Sequence, residues 1–190
     1  MQKERISIFI DFHNLAGAWN IHFKKTKGQV PAEAWTNLNQ SLLKLYAHAA
    51  RVELNQLIHK ISLVCYSADQ NPARDKGNFL FARRMSKISH TQGMIFHQQP
   101  RKEKTQNESG VDSFLVSHML LGAKRHLYDT AILVSHDNDY APAVEIIRSK
   151  YSSKVIQAAY YNEHSEFAIL RATCYGQLDL GTLDENFMLN

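Results

Sequence analysis

The carboxylates of this chain fall where two apolar runs stop. The run 131–134 gives way to Ser135-His136-Asp137-Asn138-Asp139, and Pro142 stands where a new helix would begin. Near the N-terminus the run 6–10 ends in Asp11, with Asn14 just beyond, and Asp112 follows Gly110-Val111. Buried strands that end in acids are how an open parallel sheet builds a cation site, because ligands sit outside the carboxyl ends of the strands. Hard divalent cations such as Mg²⁺ take carboxylate oxygens and keep several waters. A cation held there lowers the pKa of a bound water and polarises a phosphoryl oxygen. Asp11, Asp112, Asp137 and Asp139 are therefore the candidate catalytic and metal-ligating residues. Helix capping accounts for any one of them singly: Asp139 precedes Pro142 by three residues, and Asp112 suits a helix start. On spacing alone a metal or phosphate site and structural capping weigh equally; the site reading rests on four acids together, two sets of which close separate strands.

The elements that must position these acids follow from periodicity. Strands are expected over 6–10, 61–66, 94–97, 130–134 and 154–160. Leu38, Leu42, Leu45, Ala49 and Val52 recur at helical spacing behind Pro31, and further helices are expected over 79–88, 111–127, 141–150 and 163–172. The stretch around Lys24, Lys25, Lys27 and Gly28 reads as a loop, Asn71-Pro72 as a turn, and 100–109 as a polar, basic loop. Strands alternating with helices mean parallel βαβ units. The expectation is one three-layer α/β domain over 1–190, with a mostly parallel central sheet of about five strands, in which the first and fourth are neighbours.

Composition narrows the function classes. The chain has 190 residues, 44% of them hydrophobic, which fits one domain with a real core. No run approaches a membrane span, and the N-terminal residues lead directly into a strand rather than a signal peptide, so the chain reads as soluble and cytoplasmic. Two cysteines, Cys65 and Cys174, make no disulfide scaffold, and the ten histidines form no zinc spacing with them. The formal net charge of +4 is compatible with a polyanionic partner without establishing one. No phosphate-loop or dinucleotide fingerprint is present. Ser135-His136 is not a triad, which is a spatial arrangement with a third orienting group.

Three segments carry a family resemblance. Phe9-Ile10-Asp11-Phe12-His13-Asn14-Leu15 resembles the F-I-D-x-x-N-L opening of NYN domains, relatives of the PIN-like ribonucleases. Glu108-Ser109-Gly110-Val111-Asp112 resembles their E-K-G-V-D segment. The segment from Tyr128 to Pro142 resembles their Y-D-x-A-x-L-V-S-G-D-S-D-F-x-P. The blocks agree in order and separation, and the third is the specific one. The resemblance implies a Rossmann-like sheet of order 3-2-1-4-5 and a Mg²⁺- or Mn²⁺-dependent nuclease site on Asp11, Asp112, Asp137 and Asp139. Asn14 would be the polar partner beside Asp11, and single-stranded RNA the substrate. Three positions depart from it: His118 stands where the family often has a second aspartate, Ser109 replaces a lysine, and His136 replaces a glycine. Ser135 and His118 then lie at the edge of the implied site. A histidine ligand would shift preference toward Mn²⁺; a histidine that only packs on its helix is the commoner case. A catalytically degenerate nucleic-acid-binding or protein-interaction module, and a phosphatase or nucleotide hydrolase on the same fold, are the alternatives.

Two basic clusters, Arg83-Arg84 with Lys87 and Arg101-Lys102 with Lys104, are candidate phosphate contacts, although solvated charge is the commoner role of such runs. Phe96, His97 and Tyr161 are candidates for stacking bases, with core packing favoured for Phe96. The oligomeric state, a homodimer included, is open at this stage.

Overall fold

The computed structural model describes residues 3–26, 32–68, 94–100, 110–161 and 168–182. Its strands are β1 (Glu4–Asp11), β2 (Leu57–Ala68), β3 (Met94–Pro100), β4 (Thr130–Val134), β5 (Val155–Tyr160) and β6 (Gly176–Asp179). Its helices are α1 (Phe12–Thr26), α2 (Ala32–Ala50), α3 (Val111–Lys124), α4 (Ala141–Lys150) and α5 (Ala168–Thr173). The six strands form one sheet of order β3-β2-β1-β4-β5-β6. Every neighbouring pair is parallel. The expected order is thus found and extended by one edge strand. The short β6, four residues beginning at Gly176, carries too little apolar alternation to stand out in the sequence.

Alternation along β1 sorts its side chains between two cores. Ile6, Ile8 and Ile10 join Leu15, Leu38 and Leu42 on the side of α1 and α2. Phe9 joins Leu63 and Cys65, together with Leu115 and Met119 of α3, Val144 and Ile147 of α4, and Leu170 of α5. Burial on both faces explains why β4 is apolar from Ala131 to Val134, with every residue of 130–134 buried. Asp11 shares its face with Phe9, two residues earlier. The acid that ends β1 therefore points to the side where α3 begins.

Strands β2 and β3 run longer than the expected 61–66 and 94–97, and three helix boundaries differ from expectation. Helix α1 starts directly after Asp11, where only a loop around Lys24 is expected; Lys24 and Lys25 lie within it, and Lys27 and Gly28 outside the described residues. Its signal is Phe12, Leu15 and Ala18, all buried, with Asp11 accepting a hydrogen bond from the Asn14 backbone as a helix cap does. Helix α3 stops at Lys124, short of 127. Leu127 N–H donates to the Gly122 carbonyl and His126 N–H to that of Ala123, with His126 at φ 53°. Helix α2 closes in the same way through Val52 and Arg51, the latter at φ 56°. Both are left-handed helix closures. They are built on a histidine and an arginine instead of the usual glycine, so neither stop is marked in the sequence, and Ala49 is exposed rather than on the buried stripe.

The expected helix over 79–88, with Arg83, Arg84 and Lys87, and the turn at Asn71-Pro72 lie outside the described residues, as do Arg101, Lys102 and Lys104. Among the described residues no helix is long and apolar enough to cross a membrane.

Candidate metal centre

Strands β1 and β4 are neighbours in parallel register, Ile10 beside Val134, so both chains leave the sheet at the same level. Asp11 is the last residue of β1 and is 4% exposed. Beyond β4, Ser135 is fully buried and its hydroxyl accepts the Asp137 N–H at 3.1 Å. Asp137 in turn caps a single 3-10 turn, Asn138–Tyr140, by accepting the Asp139 N–H at 2.9 Å. That turn leaves Asp139 at the surface and drops Tyr140 into the core. Asp112 lies in the first turn of α3, behind Gly110 at φ 85°. A side chain at that φ would be strained, so glycine is required where the chain enters α3 and presents Asp112.

These three segments meet at one atom. The Tyr140 Oη lies 3.1 Å from Asp11 Oδ2 and 2.9 Å from Asp112 Oδ1. The two carboxylate oxygens are consequently no more than about 6 Å apart, close enough for a cation that binds one acid directly and the other through a water, or for two linked cations. Burial is the main cause that raises the Asp112 pKa above the usual carboxylate range; the Tyr140 hydrogen bond opposes it, and the charges of Asp137 and Asp139 add to it. All three acids thus share one electrostatic neighbourhood. Burial, then the charges of Asp11 and Asp112, keep the Tyr140 phenol protonated far above its ordinary range. Cys65 lies beside Asp11 in the register, and burial followed by the Asp11 charge pushes its thiol up to about 12. It is an inert thiol beneath the acids, with no thiolate to offer a metal.

The donor set fits a hard cation. It consists of carboxylate oxygens, and Mg²⁺ in phosphoryl-transfer sites is commonly held by one or two carboxylates with substrate phosphate and water completing the shell. Among the described residues no three His, Cys, Asp or Glu side chains already converge as a complete ligand group; the pair brought together is Asp11 and Asp112.

Asn14 is tied to the same mouth from the opposite side. Its Oδ1 accepts the His136 N–H at 2.6 Å and lies 2.9 Å from His136 Nδ1. The Tyr161 N–H donates to His136 Nε2 at 2.9 Å. A backbone N–H can only donate, so His136 carries its proton on Nδ1 and gives it to Asn14. The Asn14 carbonyl is thereby engaged, and its Nδ2 is left as the donor. His118 is placed otherwise: its Nδ1 bonds the Phe114 carbonyl at 3.0 Å, and its ring lies against Phe114, which stacks on His97 at 3.5 Å. Phe96 packs against the core, as expected. Tyr161 is 1% exposed and lies against His22 and His136, so it is a core residue and its suggested role in stacking bases is corrected. The sequence reading passed over Tyr140. Its only signal is a hydroxyl where the matched family segment has phenylalanine.

A family model for the NYN domain matches residues 5–180. The chain belongs to the NYN domain family. That assignment brings a PIN-like nuclease fold, a family that generally acts on RNA and whose nucleases generally use divalent metal ions. Among solved structures, a protein of unknown function from Vibrio parahaemolyticus shares the fold of this NYN domain, with a TM-score of 0.62 at 15% identity over 94% of each chain. No curated protein matches this NYN domain.

Proposed function

We propose that this NYN domain is a metal-dependent endoribonuclease acting on single-stranded RNA, with Mg²⁺ or Mn²⁺ as its cofactor. The observation that carries the reading is the meeting of Asp11 and Asp112 at the Tyr140 hydroxyl, with Asp137 and Asp139 acting on the same carboxylate. Asp11 and Asp112 would hold the cation, and Asp137 and Asp139 would complete the ligand set or hold its waters. When bound, such a cation polarises a phosphoryl oxygen and makes a water nucleophilic near neutral pH. Asn14, its carbonyl engaged by His136, directs its amide Nδ2 as a donor to a phosphate oxygen. The net charge of +4 favours a polyanionic substrate, with Arg83, Arg84, Arg101, Lys102 and Lys104 as phosphate contacts.

A second reading is a NYN domain that binds RNA without cutting it. It is favoured by His118, which stands in place of a family carboxylate and spends its contacts on Phe114. Incubating purified protein with labelled single-stranded RNA in chelator, Mg²⁺ or Mn²⁺ separates the two. The nuclease reading expects metal-dependent cleavage that falls by at least about 10²-fold in Asp137→Asn, the scale of losing an electrostatic group from such a site. Cleavage of equal rate in Asp137→Asn would contradict it. Tight RNA binding with no cleavage in either metal would establish the second reading.

A further inference from the structure

The inference that follows rests on the metal-centre reading and deepens it. We infer that the Tyr140 hydroxyl is a positioning group of the acidic centre, a buried hydrogen-bond donor shared between the Asp11 and Asp112 carboxylates that keeps them facing one another for a divalent cation.

Three observations carry this. The first is convergence. Strand β1 supplies Asp11, helix α3 supplies Asp112 and the turn after β4 supplies Tyr140, so three segments far apart in sequence meet at a single oxygen atom. The second is rigidity. Tyr140 is fully buried, in the cluster that includes Leu115, Val144 and Ile147, so its ring has one place to lie and its hydroxyl one place to be. The third is proton arithmetic. A phenol has one proton, and it donates to one carboxylate at a time. The hydroxyl therefore bonds one acid at a time, alternating between Asp11 and Asp112, and leaves their combined negative charge largely unneutralised. That is what a cation site needs: acids held in place, but not paired off.

Phenylalanine fills the same core without a hydroxyl. Tyr140→Phe consequently removes the bridge and keeps the packing. Hydrogen-bond partners of metal-ligating carboxylates typically account for 10–100-fold in metal affinity.

The test is titration of metal-depleted protein with Mn²⁺ alone, by calorimetry and by electron paramagnetic resonance of the free ion. Parent, Tyr140→Phe and Tyr128→Phe are compared, each with a melt in chelator. Tyr128 is also fully buried, and its hydroxyl donates to the Met119 carbonyl at 2.8 Å, away from the acids. The bridge predicts an Mn²⁺ Kd raised about 10–100-fold in Tyr140→Phe and unchanged in Tyr128→Phe. An unchanged Kd in Tyr140→Phe overturns the inference while leaving the metal centre intact. An equal weakening in Tyr128→Phe overturns it too, because the cause would then be general loosening of the core. A parent that binds no Mn²⁺ at millimolar concentration overturns the metal-centre reading, and the bridge with it.

Discussion

At the residue scale the centre sets stability against function. Asp112 is ionised at a cost: burial, and the charges of Asp137 and Asp139, raise its folded pKa above the unfolded value. A raised carboxylate contributes stability that is complete below about pH 4 and is lost as pH rises through the folded value. Asp112→Asn removes that loss. In chelator at neutral pH this variant should melt at a higher temperature than the parent, while losing the stabilisation that Mn²⁺ gives the parent by binding the folded state. Thermal melts with and without Mn²⁺ check both halves. A lower melting temperature in chelator would show that the Tyr140 hydrogen bond to Asp112 outweighs the burial and repulsion that oppose its charge. The four acids were legible in the sequence because each follows an apolar run or a helix-start signal. Their partners were not. Tyr140 and Asp11 are 129 positions apart, and His136 and Asn14 122 apart, and spacing carries no trace of such pairings.

At the element scale the site depends on how α3 begins. Gly110 at φ 85° turns the chain into the helix, and two residues later Asp112 reaches Tyr140. Gly110→Ala should cost about 1–2 kcal/mol, the price of a Cβ in left-handed backbone. It should also weaken Mn²⁺ binding, since the turn that aims Asp112 must shift. Urea unfolding and an Mn²⁺ titration read the two effects; a stability loss without any change in affinity would show that α3 re-forms its first turn elsewhere. Element order and type were largely readable, because alternating strand and helix patterns constrain parallel topology strongly. Helix ends were not. Arg51 and His126 close α2 and α3 in left-handed geometry that glycine usually signals. Helix α1 was obscured by its polar face and by its start within one residue of β1.

At the scale of the whole molecule, opposite ends of the sheet carry opposite electrostatics. The carboxyl ends gather Asp11, Asp112, Asp137 and Asp139, and among the described residues the charges that act on Asp112 are those of Asp137 and Asp139. At the amino ends Arg5 clasps Asp129 with Nε and Nη2 at 2.9 and 2.6 Å, and Lys154 lies 3.4 Å away. The Arg5 hydrogen bond is the largest cause holding the Asp129 pKa far below the usual carboxylate range. A depressed carboxylate gives stability that is present above about pH 4 and lost as pH falls toward its folded value. Asp129→Asn should therefore lower the melting temperature at pH 7 and flatten its fall below about pH 4. An unchanged acid limb would assign acid unfolding to other carboxylates. This ion pair ties β1 to the start of β4 across 124 positions, a partnership that sequence spacing does not show.

The central claim is that Asp11 and Asp112, brought together from β1 and α3, hold a divalent cation. Anomalous diffraction from crystals of the protein grown in saturating Mn²⁺ tests it most directly. The account predicts a manganese peak about 2 Å from a carboxylate oxygen of Asp11 or Asp112, with the other acid bound directly or through a water. The peak should vanish in Asp11→Asn crystals. Manganese bound elsewhere on the surface, with Asp11 and Asp112 still joined only through Tyr140, would contradict it.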